Sequence, residues 1–335
     1  MPTELDIFKP QVSTISRGLD SKSFLVYGSN RTGKTTVGCQ FPKPFYLGFE
    51  NGINAISGIP FLPITNWSNF LKIVKQITKP ETLDKVKEMY QTIIFDTLEA
   101  AARYCEEYTC AKYGVDTIGS GNKGYGLYKE FSVELWKPLN QLTSCGLTTY
   151  FIGHDTTREV PDASGEKVEK VYPRGEKRLV DPAVDLCDFI IYLQPNGLDM
   201  NGNEVPSSAY CKNTKEYHAG SRFKHFPAKI DVFSAENLQK AVEYAVMKDE
   251  EEKKIKSVSF AEQKDKTTIK TLSFEELVSE IKEIATQLNK EDRIGEYKEI
   301  IEQYLGKDSS VKDATPKQSQ QLELILDDLK DLISS

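Results

Sequence analysis

The stretch from Phe24 to Gly38, FLVYGSNRTGKTTVG, constrains the fold more than any other part of the chain. It joins an apolar run to a run of small and β-branched residues through a polar loop bounded by Gly28 and Gly33. The spacing G-x-x-x-x-G-K-[ST] is met at Gly28, Gly33, Lys34 and Thr35. Its chemistry is a backbone cradle: glycines let successive N–H groups curl around a polyphosphate, a lysine reaches the outer oxygens, and a hydroxyl faces Mg²⁺. Such a cradle stands between a buried strand and a helix whose first free N–H groups point at the anion. The pattern predicts a nucleotide site in an α/β sheet. Gly28, Ser29, Asn30, Arg31, Thr32, Gly33, Lys34, Thr35 and Thr36 would surround the phosphates, with ATP and Mg²⁺ as cofactors.

Four further short apolar runs, PFYLGF, TIIFD, TTYFIG and FIIYL, have strand length and follow the first, SFLVYG. Segments of helical spacing, such as NWSNFLKIVKQI and EFSVELWKPLNQL, lie between most of them. Strands alternating with helices imply a mainly parallel twisted sheet flanked by helices. LDMNGNEVPSSAYCKN then carries an Asn-Gly hairpin signal, and SAENLQKAVEYAVMK reads as a Ser-capped helix closing the core. The expected organisation is an N-terminal arm over 1–20, an ATPase core over 21–247, a charged linker or helix extension over 248–270, and a helical module over 271–335. A capping box at Ser273 and Glu276, and Pro316 following Thr315, mark helix starts in that module.

Six cysteines without a CxxC pair, and three histidines, suggest neither a disulfide framework nor a zinc site. The N-terminus has no signal pattern and no run reaches the length of a membrane span, so a cytoplasmic protein is expected, in the host cytoplasm if phage-encoded. The net charge of -7 weighs against a nucleic-acid binder only as a sum: residues 248–335 hold 15 basic and 21 acidic residues, and the rest is near neutral. A basic groove on the core is compatible with that distribution.

Three polar residues follow predicted strands, on the rim where open α/β sheets bind ligands. Asp96 ends TIIFD, as a magnesium ligand or as the cap of the helix LEAAARYCEEY. Glu50 ends FYLGFE, as the group orienting the attacking water or as part of a Glu-Asn-Gly surface turn. His154 ends YFIGH, as a structural histidine or as a reporter of the γ-phosphate to the loop that follows.

The ordered set GSNRTGKTT, FYLGFENG, TIIFDT, KGYGLYKEF, YFIGH and LVDPAVDLCDFIIYL resembles a RecA-type P-loop ATPase core over about residues 22–232. More closely, it is similar to the phage-borne RecA-like single-strand annealing ATPases, the fourth group of the Sak proteins. The resemblance implies Lys34 and Thr35 as phosphate and Mg²⁺ ligands, Asp96 as the acid of the second motif, Glu50 as the catalytic glutamate, and His154 where RecA has a γ-phosphate-sensing glutamine. It also implies two loops facing single-stranded DNA, over 111–126 and 155–178. Lys112, Tyr113, Lys123 and Tyr125 in the first, and Arg174, Lys177 and Arg178 in the second, combine phosphate-pairing and base-stacking groups. Without the resemblance both read as solvated excursions. Arg222 is either a finger reaching a neighbouring subunit's γ-phosphate or an ordinary strand-edge arginine.

The expectation is a Mg²⁺-dependent, DNA-stimulated ATPase that assembles as a ring or filament on single-stranded DNA. Its C-terminal module would bind a partner such as single-stranded-DNA-binding protein, or stabilise the oligomer. The competing reading is a nucleotide-switched adaptor or loader acting through protein contacts. A small-molecule kinase is disfavoured because no compact Arg-rich lid is evident.

Overall fold

The computed structural model describes residues 8, 10, 12–50, 54, 56–161, 164–175, 177–267 and 272–334, with backbone alone at 177–179 and 265–267. Parts of the expected arm (1–7, 9 and 11), the Asn51-Gly52 turn and residues 268–271 lie outside the described residues.

The five apolar runs form β1 (Ser23–Gly28), β2 (Pro44–Gly48), β4 (Thr92–Asp96), β5 (Thr148–Gly153) and β8 (Phe189–Gln194). A short β3 (Phe61–Pro63) extends the edge beside β2, and β9 (Ser208–Tyr210), β10 (Gly220–Ser221) and β11 (Lys229–Ile230) extend the other. The order across the sheet is β11-β9-β8-β1-β5-β4-β2-β3, with β10 also on β8. Every pair from β8 to β3 is parallel, and the pairs involving β9, β10 and β11 are antiparallel. The fold is the expected mixed α/β architecture with a largely parallel central sheet.

Alternation along the strands divides the core. Leu25, Leu47, Phe95 and Phe151 face one side, where α2 (Trp67–Thr78), α4 (Leu98–Tyr113) and α5 (Tyr128–Ser144) bury Phe70, Ala101, Leu135 and Leu139. Val26, Tyr46, Ile94, Tyr150 and Ile152 face the other, covered by Val37 and by Leu238 and Val242 of α7 (Ala235–Lys253). Parallel register brings Gly48, Asp96, Ile152 and Val26 into one row. Glu50, His154 and Gly28 each lie two residues beyond that row, so the rim follows directly from the register. Between Pro80 and Met89 runs α3, ahead of β4.

One segment differs from the sequence reading. The expected loop over 155–178 is an antiparallel hairpin of β6 (Asp155–Pro161) and β7 (Lys167–Pro173), followed by α6 (Lys177–Leu186). Residues 12–20 and 248–263 belong to the compact unit Val12–Gln263. Ser16 bridges Val258, and Arg17 Nη2 donates to Ser257 O at 2.8 Å, so the segments flanking the expected core are fastened to each other. The Asn-Gly hairpin forms as expected, with Asp199 N–H donating to Asn203 O at 2.8 Å.

Following α8 (Phe260–Thr267), a second unit contains α9 (Phe274–Lys290), α10 (Ile294–Leu305) and α11 (Ser319–Ser334). Leu277, Ile281, Leu288, Ile301, Leu322 and Leu329 make its own apolar centre. The capping box is present: Ser273 N–H donates to Glu276 Oε2 at 2.7 Å, and Glu276 N–H donates to Ser273 Oγ at 3.2 Å.

Candidate nucleotide site

The phosphate loop leaves β1 at Gly28, where a Cβ would stand 2.6 Å from Leu193 O of the neighbouring strand, so only glycine lets β8 approach. Gly33 closes the loop with φ +84°, a left-handed conformation suited to glycine. Between them, Thr32 is buried and donates to Ser29 O at 3.0 Å, whereas Asn30 and Arg31 face solvent. Lys34 is buried, its Nζ donating to Gly28 O at 2.9 Å and Ser29 O at 2.6 Å. Burial pulls its pKa down, opposed by the charges of Asp96, Asp155 and Glu99 and reinforced by Arg174. The ammonium is thus held inside the loop by carbonyls that a polyphosphate would replace.

The helix behind the loop, α1 (Lys34–Gly38), is only five residues long, with Pro42 and Pro44 close behind. The full helix dipole expected at the phosphates is therefore shortened. What fixes α1 to the sheet is Tyr150: its hydroxyl donates to Lys34 O at 3.0 Å, and its ring lies 2.9 Å from where a Cβ on Gly38 would be. Thr36 is exposed beside it.

Thr35 Oγ1 donates to Asp96 Oδ2 at 2.8 Å, and the buried Tyr46 hydroxyl donates to the same oxygen at 2.9 Å. Asp96 is not the cap of α4; Thr97 is, accepting from Ala100 N–H at 3.4 Å. Burial raises the Asp96 pKa, and the Thr35 and Tyr46 hydroxyls oppose that rise. A hydroxyl and a carboxylate in contact form an all-oxygen donor pair, which fits Mg²⁺ held jointly with phosphates. Thr35 and Asp96 are the residues that would hold it.

Glu50 is exposed, and Thr97 donates to its Oε1 at 3.2 Å. On the other side of Asp96, His154 N–H donates to Glu99 Oε1 at 2.5 Å. His154 O accepts the Arg174 N–H at 2.7 Å, and Arg174 Nε donates to Asp155 O at 3.2 Å. The structure thus brings Lys34, Thr35, Asp96, Glu50 and His154 to one rim and adds Arg174, which the sequence assigned to a DNA loop.

Other expected residues lie apart. Arg222 donates to Asp185 O and pairs with Asp188 Oδ1 at 3.4 Å, at the start of β8. That end is a strand length from the phosphate loop of its own chain, on the order of 17 Å. Lys112 pairs with Glu134 at 3.0 Å, Tyr113 is half-exposed, and Lys123 and Tyr125 sit in short turns with Tyr125 84% exposed. Lys177 and Arg178 open α6, and their side chains lie outside the described residues.

Sequence reading missed Tyr46, Tyr150, Thr97 and Glu99. The two tyrosines carried a signal: a phenol in an otherwise apolar buried strand must find a partner for its hydroxyl.

A chain of the SPbeta prophage, the uncharacterized protein YorG of Bacillus subtilis (strain 168), is 43% identical over 330 residues, covering 98% of this chain and 99% of that relative. A family model described as an AAA domain matches residues 20–223, which takes in the phosphate loop, β4 and β5. With that loop at the rim of a parallel sheet, the chain belongs to the AAA domain family of P-loop nucleoside triphosphatases.

Proposed function

We propose that the protein is a Mg²⁺-dependent ATPase that binds single-stranded DNA and uses nucleotide state to govern strand annealing or exchange in phage DNA metabolism. The observation that carries this reading is the base of the β6–β7 hairpin. Arg174 N–H, bonded to His154 O at 2.7 Å, ties the segment expected to face DNA to a residue on the nucleotide rim. The prophage origin of the relative supports the phage setting.

In this reading Gly28 to Thr36, Lys34 among them, hold the phosphates, and Thr35 and Asp96 would hold Mg²⁺, which would supply charge neutralisation at the phosphate oxygens. Glu50 orients water and accepts its proton as the new O–P bond forms and the bond to the β-phosphate oxygen breaks. His154 meets the γ-phosphate. ATP lies between subunits of a homo-oligomer, and the C-terminal helices serve a protein partner.

A second reading, a nucleotide-switched adaptor, is favoured by the hairpin's self-paired charge, as in Lys167 Nζ to Glu159 Oε2 at 3.2 Å. ATP hydrolysis measured with and without single-stranded DNA separates the two. Stimulation together with protection of an oligonucleotide supports the recombination role, and indifference to DNA supports the adaptor. Lys34→Ala is expected to abolish ATP binding; unchanged affinity would remove the assignment of the site itself.

A further inference from the structure

Glu99 lies in the first turn of α4, two residues past the Thr97 cap. A carboxylate there ordinarily serves the free amides of its own helix or faces water. Glu99 meets its own backbone amide and also reaches across to the end of β5. Its Oε1 accepts the His154 N–H at 2.5 Å, and the ring Nδ1 of His154 stands 3.6 Å from the same oxygen, at ion-pair range. The side chains are 17% and 18% exposed, so this is not a solvated surface pair.

The other oxygen, Oε2, is buried with no hydrogen-bond partner among the described residues. An unmatched buried acceptor is costly, and such a cost calls for a reason beyond helix capping. Burial pushes the carboxyl up, yet its contacts with the ring and amide of His154, together with its own backbone amide, outweigh burial and hold it below the usual glutamate range. The charge also acts on Lys34, so Glu99 belongs to the electrostatics of the phosphate loop.

We infer that Glu99 is a positioning residue for His154, anchoring its amide and the Nδ1 side of its ring so that Nε2 is the nitrogen presented to the outermost phosphate of a bound nucleoside triphosphate. The inference rests on the reading of His154 as the γ-phosphate contact. It also gives a physical reason for histidine where the RecA-type resemblance has glutamine. A glutamine carries its own fixed amide donor. An imidazole offers a defined donor or acceptor at one nitrogen only when something engages the other. Lys34, Asp96, Asp155 and Arg174 are further charged groups around this end of the site.

The test is a double-mutant cycle read as the ratio of ATP to ADP affinity, with kcat and KM measured separately. Glu99→Ala and His154→Ala should each lower the ATP/ADP affinity ratio about ten-fold, the worth of one charge-assisted contact, with ADP affinity itself little changed. The double variant should be no worse than His154→Ala alone. Glu99→Gln, which keeps an acceptor oxygen, should recover most of the loss. Should Glu99→Ala fail to fold, Glu99→Met keeps the volume, removes both acceptors, and should show the same loss. An unchanged ratio in Glu99→Ala or Glu99→Met, or single effects that multiply in the double variant, overturns the inference. An unchanged ratio in His154→Ala overturns it as well, while loss of binding in Lys34→Ala would show that the nucleotide site itself stands.

Discussion

Thr35 Oγ1 donates to Asp96 Oδ2 across 2.8 Å, joining the loop after β1 to the end of a strand two places away in the sheet. The contact brings together the two oxygen donors proposed to hold Mg²⁺. Thr35→Ala should weaken Mg²⁺-dependent ATP binding ten-fold or more while leaving the weaker, metal-free binding nearly unchanged. Titration of a fluorescent ATP analogue with Mg²⁺ and with EDTA reads both, and equal Mg²⁺ sensitivity in variant and wild type would refute the assignment.

Glu50 is exposed and bonded to Thr97 rather than to Asp96 or Lys34, so its removal should spare binding. Glu50→Gln is expected to cut kcat about 100-fold or more, the usual worth of a general base, with ATP affinity within about three-fold. Single-turnover hydrolysis on pre-bound ATP is the direct measurement. A variant that hydrolyses at the wild-type rate would transfer the role to another group.

Gly38→Ala should cost about 1–3 kcal/mol, because its Cβ would enter the Tyr150 ring. Since Tyr150 also bonds Lys34 O, the displacement should weaken ATP binding too. Urea unfolding and nucleotide titration should move together. A stable variant with weak binding, or an unstable one with normal binding, would separate α1 from the loop it follows.

Lys22 gives a pH signature. It is buried, with Nζ donating to Ser16 O at 2.9 Å and Ser16 Oγ at 2.8 Å, and burial lowers its pKa to about 8 against the pull of Asp188 and Asp20. The unfolded chain then binds more protons than the native one between pH about 8 and 10.5, so this residue's contribution to stability rises with pH across that window. The change should approach about 3 kcal/mol at most. Urea midpoints of wild type and Lys22→Met, compared from pH 7.5 to 10, isolate it from the tyrosines. Parallel curves would show that Lys22 does not titrate in that range.

The sheet was legible because strands buried on both faces write continuous apolar runs, as SFLVYG and TTYFIG do, and the phosphate loop because its spacing is its mechanism. The hairpin was not. DTTREVP and KVEKVYP mix charge with β-branched residues; mutual register pairs them and the Val171–Tyr217 bridge ties the second strand down, and neither has a local signature. The same holds for Glu99, which reads as an acid favourable to a helix start until β5 is placed beside it. Arg174 stands among the residues of a loop expected to face DNA because nothing in YPRGEK announces that its backbone returns to His154. Contacts between residues far apart in sequence decide these roles, and spacing records only near ones.

The β6–β7 hairpin is fastened at its base through Arg174 and His154, and also partway along, where Val171 N–H donates to Glu216 O at 2.7 Å and His218 N–H donates to Val171 O at 2.9 Å. Val171 pairs with Thr157, two residues from the base pair Asp155–Pro173 and four from the outer pair Pro161–Lys167. At strand spacing those arms are about 7 and 13 Å. A ribbon pivoting at that waist would act as a seesaw with unequal arms: any displacement of its short end would be returned at its long end about twice as large and in the opposite direction.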